Sequence, residues 1–70
     1  MVIFLKVVYR LYEIRTERGL TIRQLEELSG IGKATINRIE NGLANPTVEI
    51  LCQLAIALNC SPYDLFYMEK

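Results

Sequence analysis

The run Thr21–Gly42, TIRQLEELSGIGKATINRIENG, limits the fold of this chain more than any other segment. It holds two short helical patterns separated only by Ser29-Gly30-Ile31-Gly32. Thr21 and Gln24 have the spacing of a capping box, which predicts a helix to about Ser29 with Leu25 and Leu28 as its buried stripe and Gly30 as its stop. A second pattern from about Lys33 to Glu40 places Ile36 and Ile39 three apart, facing inward, and ends at Asn41-Gly42. Two helices joined so closely must cross at a steep angle, and the second is then free to project from the body.

The flanks supply the body. Val7, Leu11 and Ile14 follow the i, i+4, i+7 spacing of one helix face, with Gly19 as the stop. Where that helix begins is open: Val2, Ile3, Val7 and Val8 are β-branched, so residues 1–6 form either an extra helical turn or a short strand. Pro46 excludes helix from the residue before it. Thr47 then caps a helix running to about Leu58, with Val48, Leu51, Leu54, Ala55 and Leu58 on one face and Asn59 as a left-handed stop. Ser61-Pro62-Tyr63-Asp64 reads as an N-cap, a proline in the first turn and an acid at the positive helix end, opening a short fifth helix to about Phe66. The expected architecture is all-α, a five-helix bundle in a single domain spanning 1–70.

At 70 residues and 51% apolar content the chain is near the lower size limit for independent folding. Its two cysteines, Cys52 and Cys60, imply neither a disulfide framework nor a zinc site and are expected as core or half-buried thiols, which suits a reducing cytoplasm. MVIFLKVVY at the start is far short of the ~20 residues that span a bilayer, and it has no small-residue cleavage site. Without any His and without clustered carboxylates, neither a nucleophile–base pair nor a metal site can be assembled. Glu26-Glu27 reads as a solvated face. An enzyme, a cofactor, a small-molecule ligand and a membrane partner are therefore not expected.

Net charge is zero. Residues 1–14 and 15–42 carry +1 each, and residues 43–70 carry −2 (Lys70 against Glu49, Asp64 and Glu69). Any nucleic-acid binding must come from a local arrangement of few cations rather than from a basic domain.

In order and spacing the chain resembles the lambda-repressor-like, Cro/C1-type helix-turn-helix family, also called XRE, whose usual run is GLTQEELA, then GVSxSTISRIENG, NPS and ALGVSxDEL. The matching pieces here are Arg15, Gly19-Leu20-Thr21, Leu25, Gly30-Ile31, Thr35 through Gly42, Asn45-Pro46-Thr47, Leu54-Ala55, Ala57-Leu58-Asn59 and Ser61 through Phe66. Three positions depart from the pattern. The phosphate-binding Gln at the start of the second helix is Ile22, the Ser or Thr capping the third is Gly32, and the often basic position after Glu-Asn-Gly is Leu43.

The resemblance implies a DNA-binding transcriptional regulator whose third helix enters the major groove of double-stranded DNA. On it, Lys33, Ala34, Asn37 and Arg38 are the expected base-contacting residues. Arg38 or Lys33 can donate to guanine O6 and N7, Asn37 can pair with adenine N6 and N7, and Ala34 can touch a thymine methyl. Thr21, Arg23, Thr35, Asn41 and Asn45 are the expected phosphate contacts, although Thr21 is equally explained as a cap and Asn41 as a turn residue. Arg15 and Glu40 correspond to a family ion pair tying the first helix to the end of the third.

The apolar ends, Val2, Ile3, Phe4 and Leu5 with Phe66, Tyr67 and Met68, exceed what a small core needs. They are expected to pack near each other as a homodimer interface, residues 1–6 and 67–70 serving as extensions, for a palindromic operator. The alternative is a protein-interaction module, antitoxin-like or regulator-binding, that keeps the scaffold with weak or no DNA binding. The neutral charge, Ile22, Gly32 and Leu43 all point that way.

Overall fold

The computed structural model describes residues 6–69. Strand β1 (Lys6–Tyr9) is followed by helices α1 (Leu11–Glu17), α2 (Ile22–Ser29), α3 (Lys33–Glu40) and α4 (Val48–Leu58). A single 3-10 turn (Pro62–Leu65) leads into strand β2 (Phe66–Glu69). Ten buried apolar side chains from all four helices and the 3-10 turn form one core, centred on Leu54 and Ala55 of α4.

Two expectations about architecture fail together. The described residues hold four α-helices rather than five, and they are not all-α, because β1 and β2 pair antiparallel with Tyr9 opposite Phe66 and Lys6 opposite Glu69. Val7 belongs to β1 and is exposed, so it does not extend the α1 stripe. The chemistry favours this outcome. Val7 and Val8 are stiff at χ1, and Phe66-Tyr67-Met68 is a run that prefers extended backbone; pairing the two gives each strand the hydrogen bonds that a frayed helix end would lack. Ser61 caps as expected, its Oγ accepting from Tyr63 N–H at 3.2 Å while Asp64 Oδ2 accepts from Ser61 N–H at 2.9 Å, but the cap opens only one turn. The ribbon joins the body through Tyr9 and Phe66, which pack on the core, and through Arg10 N–H, which donates to Leu65 O at 2.7 Å. Val2, Ile3, Phe4 and Leu5 lie outside the described residues.

Two stripe assignments also change. Leu28 is 60% exposed, while Ile22, Leu25 and Ser29 face inward. At 100° per residue, the buried stripe is centred between Ile22 and Ser29, and Leu28 falls off its far side. Val48 is 75% exposed and lines an open groove beside Leu51, Cys52, Pro62 and Tyr63. Asn59 takes the left-handed conformation at φ 55°, and its N–H and that of Cys60 close the end of α4 on the Ile56 and Ala55 carbonyls. Cys52 and Cys60 are half-buried and unbridged; burial, with Asp64 adding, pushes the Cys60 thiol up.

Leu54, with no exposed surface, and Leu28 should therefore behave oppositely. Leu54→Ala is expected to cost about 2–5 kcal/mol in urea unfolding, and Leu28→Ala to stay within about 0.5 kcal/mol. Equal losses would contradict the assigned face of α2.

Candidate nucleic-acid interface

Helix α2 begins as its sequence implies. Gln24 N–H donates to Thr21 Oγ1 (3.0 Å), and Thr21 N–H donates to Gln24 Oε1 (2.8 Å). The turn that follows is short because Gly30 adopts φ 77°, a region that costs a side-chain-bearing residue energy, and its N–H closes on Glu26 O. Ser29 Oγ accepts from Ile31 N–H at 3.1 Å. Glu26 Oε2 accepts from Lys33 N–H at 2.8 Å, so the first amide of α3 is bonded to a side chain of α2. Glu26 is thus half-buried and engaged, which corrects its reading as part of a solvated face; Glu27 does point outward, 3.7 Å from Arg23 in an exposed pair worth little.

Ile36 and Ile39 sink one side of α3 into the core, which turns Lys33, Ala34, Asn37 and Arg38 outward. Lys33, Ala34 and Asn37 meet Ile22 and Arg23 of α2 around an open depression of about 320 Å³. Ile22 therefore supplies an apolar floor where the family pattern has a phosphate donor. Three of the four expected base-contacting residues are brought together here, with Arg23 beside them.

Arg38 is not part of that group. Its Nη2 donates to Leu43 O at 2.9 Å, folding the guanidinium back over the end of α3. The backbone there turns through Gly42 at φ 71°, and Leu43 N–H closes on Arg38 O. Residues 38 and 43 are thus bonded to each other twice, once through backbone and once through side chain. Asn41 Nδ2 donates to Asn37 O (2.8 Å) and to Asn37 Oδ1 (3.1 Å), leaving the Asn37 amide group as a free donor. Among the expected phosphate contacts, Thr21 and Arg23 sit together at the start of α2, and Thr35 is half-buried in α3. Asn41 and Asn45 line a separate cleft between β1 and the α3 exit.

Beneath this surface Arg15 of α1 forms a two-point pair with Glu40. Nε donates to Oε2 at 2.6 Å and Nη2 to Oε1 at 3.0 Å, with side chains only 9% and 6% exposed. Nη1 donates to Leu20 O at 2.8 Å, which ties the segment before α2 into the same knot. The guanidinium also stacks over the Tyr12 ring at 5.3 Å. The Glu40 hydrogen bond and charge hold the Arg15 guanidinium above its ordinary range, against the opposing effect of burial. Sequence reasoning missed Glu26 and the Arg38–Leu43 bond. The only signal for Glu26 was Gly32, which leaves the start of α3 without its own cap.

The helix-turn-helix family model HTH_3 matches residues 11–65. Among curated proteins, the chain is 36% identical over 56 residues to the HTH-type transcriptional regulator SutR of Escherichia coli K12, covering 80% of this chain but 31% of SutR. It therefore spans about a third of that relative's length. Among solved structures it superposes on the restriction-modification controller protein C.AhdI of Aeromonas hydrophila with TM-score 0.77, at 37% identity over 81% of this chain and 86% of the other. It superposes on SinR, the master regulator for biofilm formation solved in complex with DNA, with TM-score 0.74 at 29% identity, covering 77% and 87% of the two chains.

Because the Arg15–Glu40 pair is buried, truncating one partner strands a charge. Glu40→Ala is expected to lower the unfolding free energy by about 3–5 kcal/mol. The double change Arg15→Met with Glu40→Leu should lose less than Glu40→Ala alone, and chemical denaturation of the three variants checks the order.

Proposed function

The chain belongs to the Cro/C1-type helix-turn-helix family, and on that premise we propose that it is a sequence-specific DNA-binding transcriptional regulator that reads double-stranded DNA with α3 in the major groove. The observation that carries this reading is the pairing of an anchored face with a free one. Ile36 and Ile39 fix α3 in the core, and Lys33, Ala34 and Asn37 stand exposed beside Arg23 around one depression. In this docking Lys33, Ala34 and Asn37 read base edges, Arg23 and the Thr21 hydroxyl hold phosphate, and Arg38 joins the bases only by releasing Leu43 O. Thr35, Asn41 and Asn45 complete the backbone contacts.

The regulator acts as a homodimer on a palindromic operator, its recognition helices about 34 Å apart. Support comes from the pairing of the two ends, which groups exposed Val7, Tyr67 and Met68 on a ribbon whose strand edges lack partners among the described residues. In this proposal the chain is a single DNA-binding domain, with residues 1–6 and 67–70 as dimerisation extensions, working in the cytoplasm without cofactor or catalysis. No helix among the described residues is long and apolar enough to cross a membrane.

A second reading, a protein-interaction module on the same scaffold, is favoured by the zero net charge and by Ile22 lying where a phosphate donor would be. Mobility shift separates the two. DNA binding predicts salt-sensitive retention of genomic fragments, weakened about 5- to 150-fold by Lys33→Ala at its preferred site, with Arg23→Ala lowering the salt slope by about 0.9. No retention at about 50 mM salt would favour the interaction module. In light scattering at micromolar concentration the protein should run at twice the monomer mass and Tyr67→Lys with Met68→Lys at the monomer mass; a wild-type monomer would remove the dimer.

A further inference from the structure

An eight-residue helix begins with amides that have no partner inside it, and α3 begins at a residue that cannot help. Gly32 has the extended backbone of an N-cap (φ −61°, ψ 145°) but no side chain to accept a bond. The acceptor comes instead from seven residues back, as Glu26 Oε2 takes the Lys33 N–H at 2.8 Å. Glu26 stands where the family run GLTQEELA has Ala, and Gly32 where its second run has Ser. The chain thus carries a paired exchange: the cap has moved from the residue before α3 to the body of α2. Space permits it, since a Cβ at position 32 would lie 3.9 Å from Glu26 Oε2, its nearest neighbour.

A cap on the adjacent residue fixes only the helix end, whereas a cap reaching from another helix fixes the end relative to that helix. The other bonds across the turn, Gly30 N–H to Glu26 O and Ile31 N–H to Ser29 Oγ, are made before α3 starts. The Glu26–Lys33 bond is charge-assisted and places a carboxylate at the positive end of the helix dipole, which makes it the strongest single link across the turn. Lys33 carries the bonded amide and Ala34 follows it, and both side chains border the depression assigned to DNA. Releasing the amide lets the first turn of α3 fray and displaces Lys33 and Ala34, while Asn37, a turn further on, stays anchored between Ile36 and Ile39.

We propose that Glu26 is a positioning residue for base reading, its carboxylate holding the first turn of α3 at a set place on α2 in compensation for Gly32. This rests on the DNA-binding reading above. The test compares wild type, Glu26→Ala, Gly32→Ser, the double variant Glu26→Ala/Gly32→Ser, and Glu26→Ala/Gly32→Ala as a control without an acceptor. Each is measured for Tm and for affinity to a site selected from random DNA and to a scrambled duplex at one salt concentration. Glu26→Ala is expected to lower Tm by about 4–8 °C and to reduce the ratio of selected-site to scrambled affinity about tenfold, without weakening scrambled binding. Adding Gly32→Ser should restore both by more than it changes wild type, and adding Gly32→Ala should not. A merely structural role would leave the affinity ratio of the folded protein unmoved. That result overturns the proposal, as does additivity of the Glu26 and Gly32 changes in Tm. If wild type binds neither duplex, the DNA-binding reading fails and base positioning with it, while the Tm cycle still judges the cap by itself.

Discussion

Arg15 donates to three acceptors on two residues that the chain otherwise keeps apart: both oxygens of Glu40 at the far end of α3, and the Leu20 carbonyl ahead of α2. Helix packing alone leaves such short helices loosely oriented, because the seven or eight residues of α1, α2 and α3 fully bury only one or two apolar side chains each. A planar guanidinium bonded at three points removes that freedom, since its donors are fixed in angle as well as distance. Burial raises the stakes of the same contact. Each charge is tolerated only because the other is present, so the geometry is enforced by the cost of departing from it.

With its exit so fixed, α3 is held at both ends by charged side chains from other elements. Glu26 bonds its first amide and Arg15 grips its last residue, while Arg38 and the Leu43 carbonyl brace the loop that follows. The middle is held by Ile36 and Ile39 in the core. This division suits a surface that must present side chains at defined places while contributing little charge of its own. On the proposed DNA-binding reading, it is how a chain with zero net charge would keep a defined face. What is fixed is the backbone that carries them: the Lys33 amide is bonded to Glu26, whereas the Lys33 and Arg23 side chains stand exposed.

Much of this was legible in the sequence because the signals were local. The Thr21–Gln24 capping box, the Ile36–Ile39 spacing, Pro46, the Thr47 cap and the left-handed Asn59 each act within one turn of chain, and the structure has them where the spacing puts them. What escaped was set by partners distant in sequence. Phe66-Tyr67-Met68 is a strand because β1 is there to receive it, and no periodicity in four residues could announce that. The Leu25–Leu28 spacing fits either edge of a stripe, and Ile22 decides which edge the core uses. Glu26 looked like half of a solvated pair because its partner, an amide seven residues on, carries no side-chain signature. The candidate site was read more completely than its supports: Lys33, Ala34 and Asn37 follow from the face opposite Ile36 and Ile39, whereas the Arg38–Leu43 bond appears only in three dimensions.

The pairing of Lys6–Tyr9 with Phe66–Glu69 closes nearly the whole chain into one loop. Closing so long a loop costs entropy, which the ribbon's own bonds and the packing of Tyr9 and Phe66 offset. Apart from Tyr9 and Phe66, its side chains are not packed against the buried core. The clasp is thus fastened at its inner end, by Tyr9 and Phe66, while its outer pairs, Val7 with Met68 and Lys6 with Glu69, leave their edges to the surroundings.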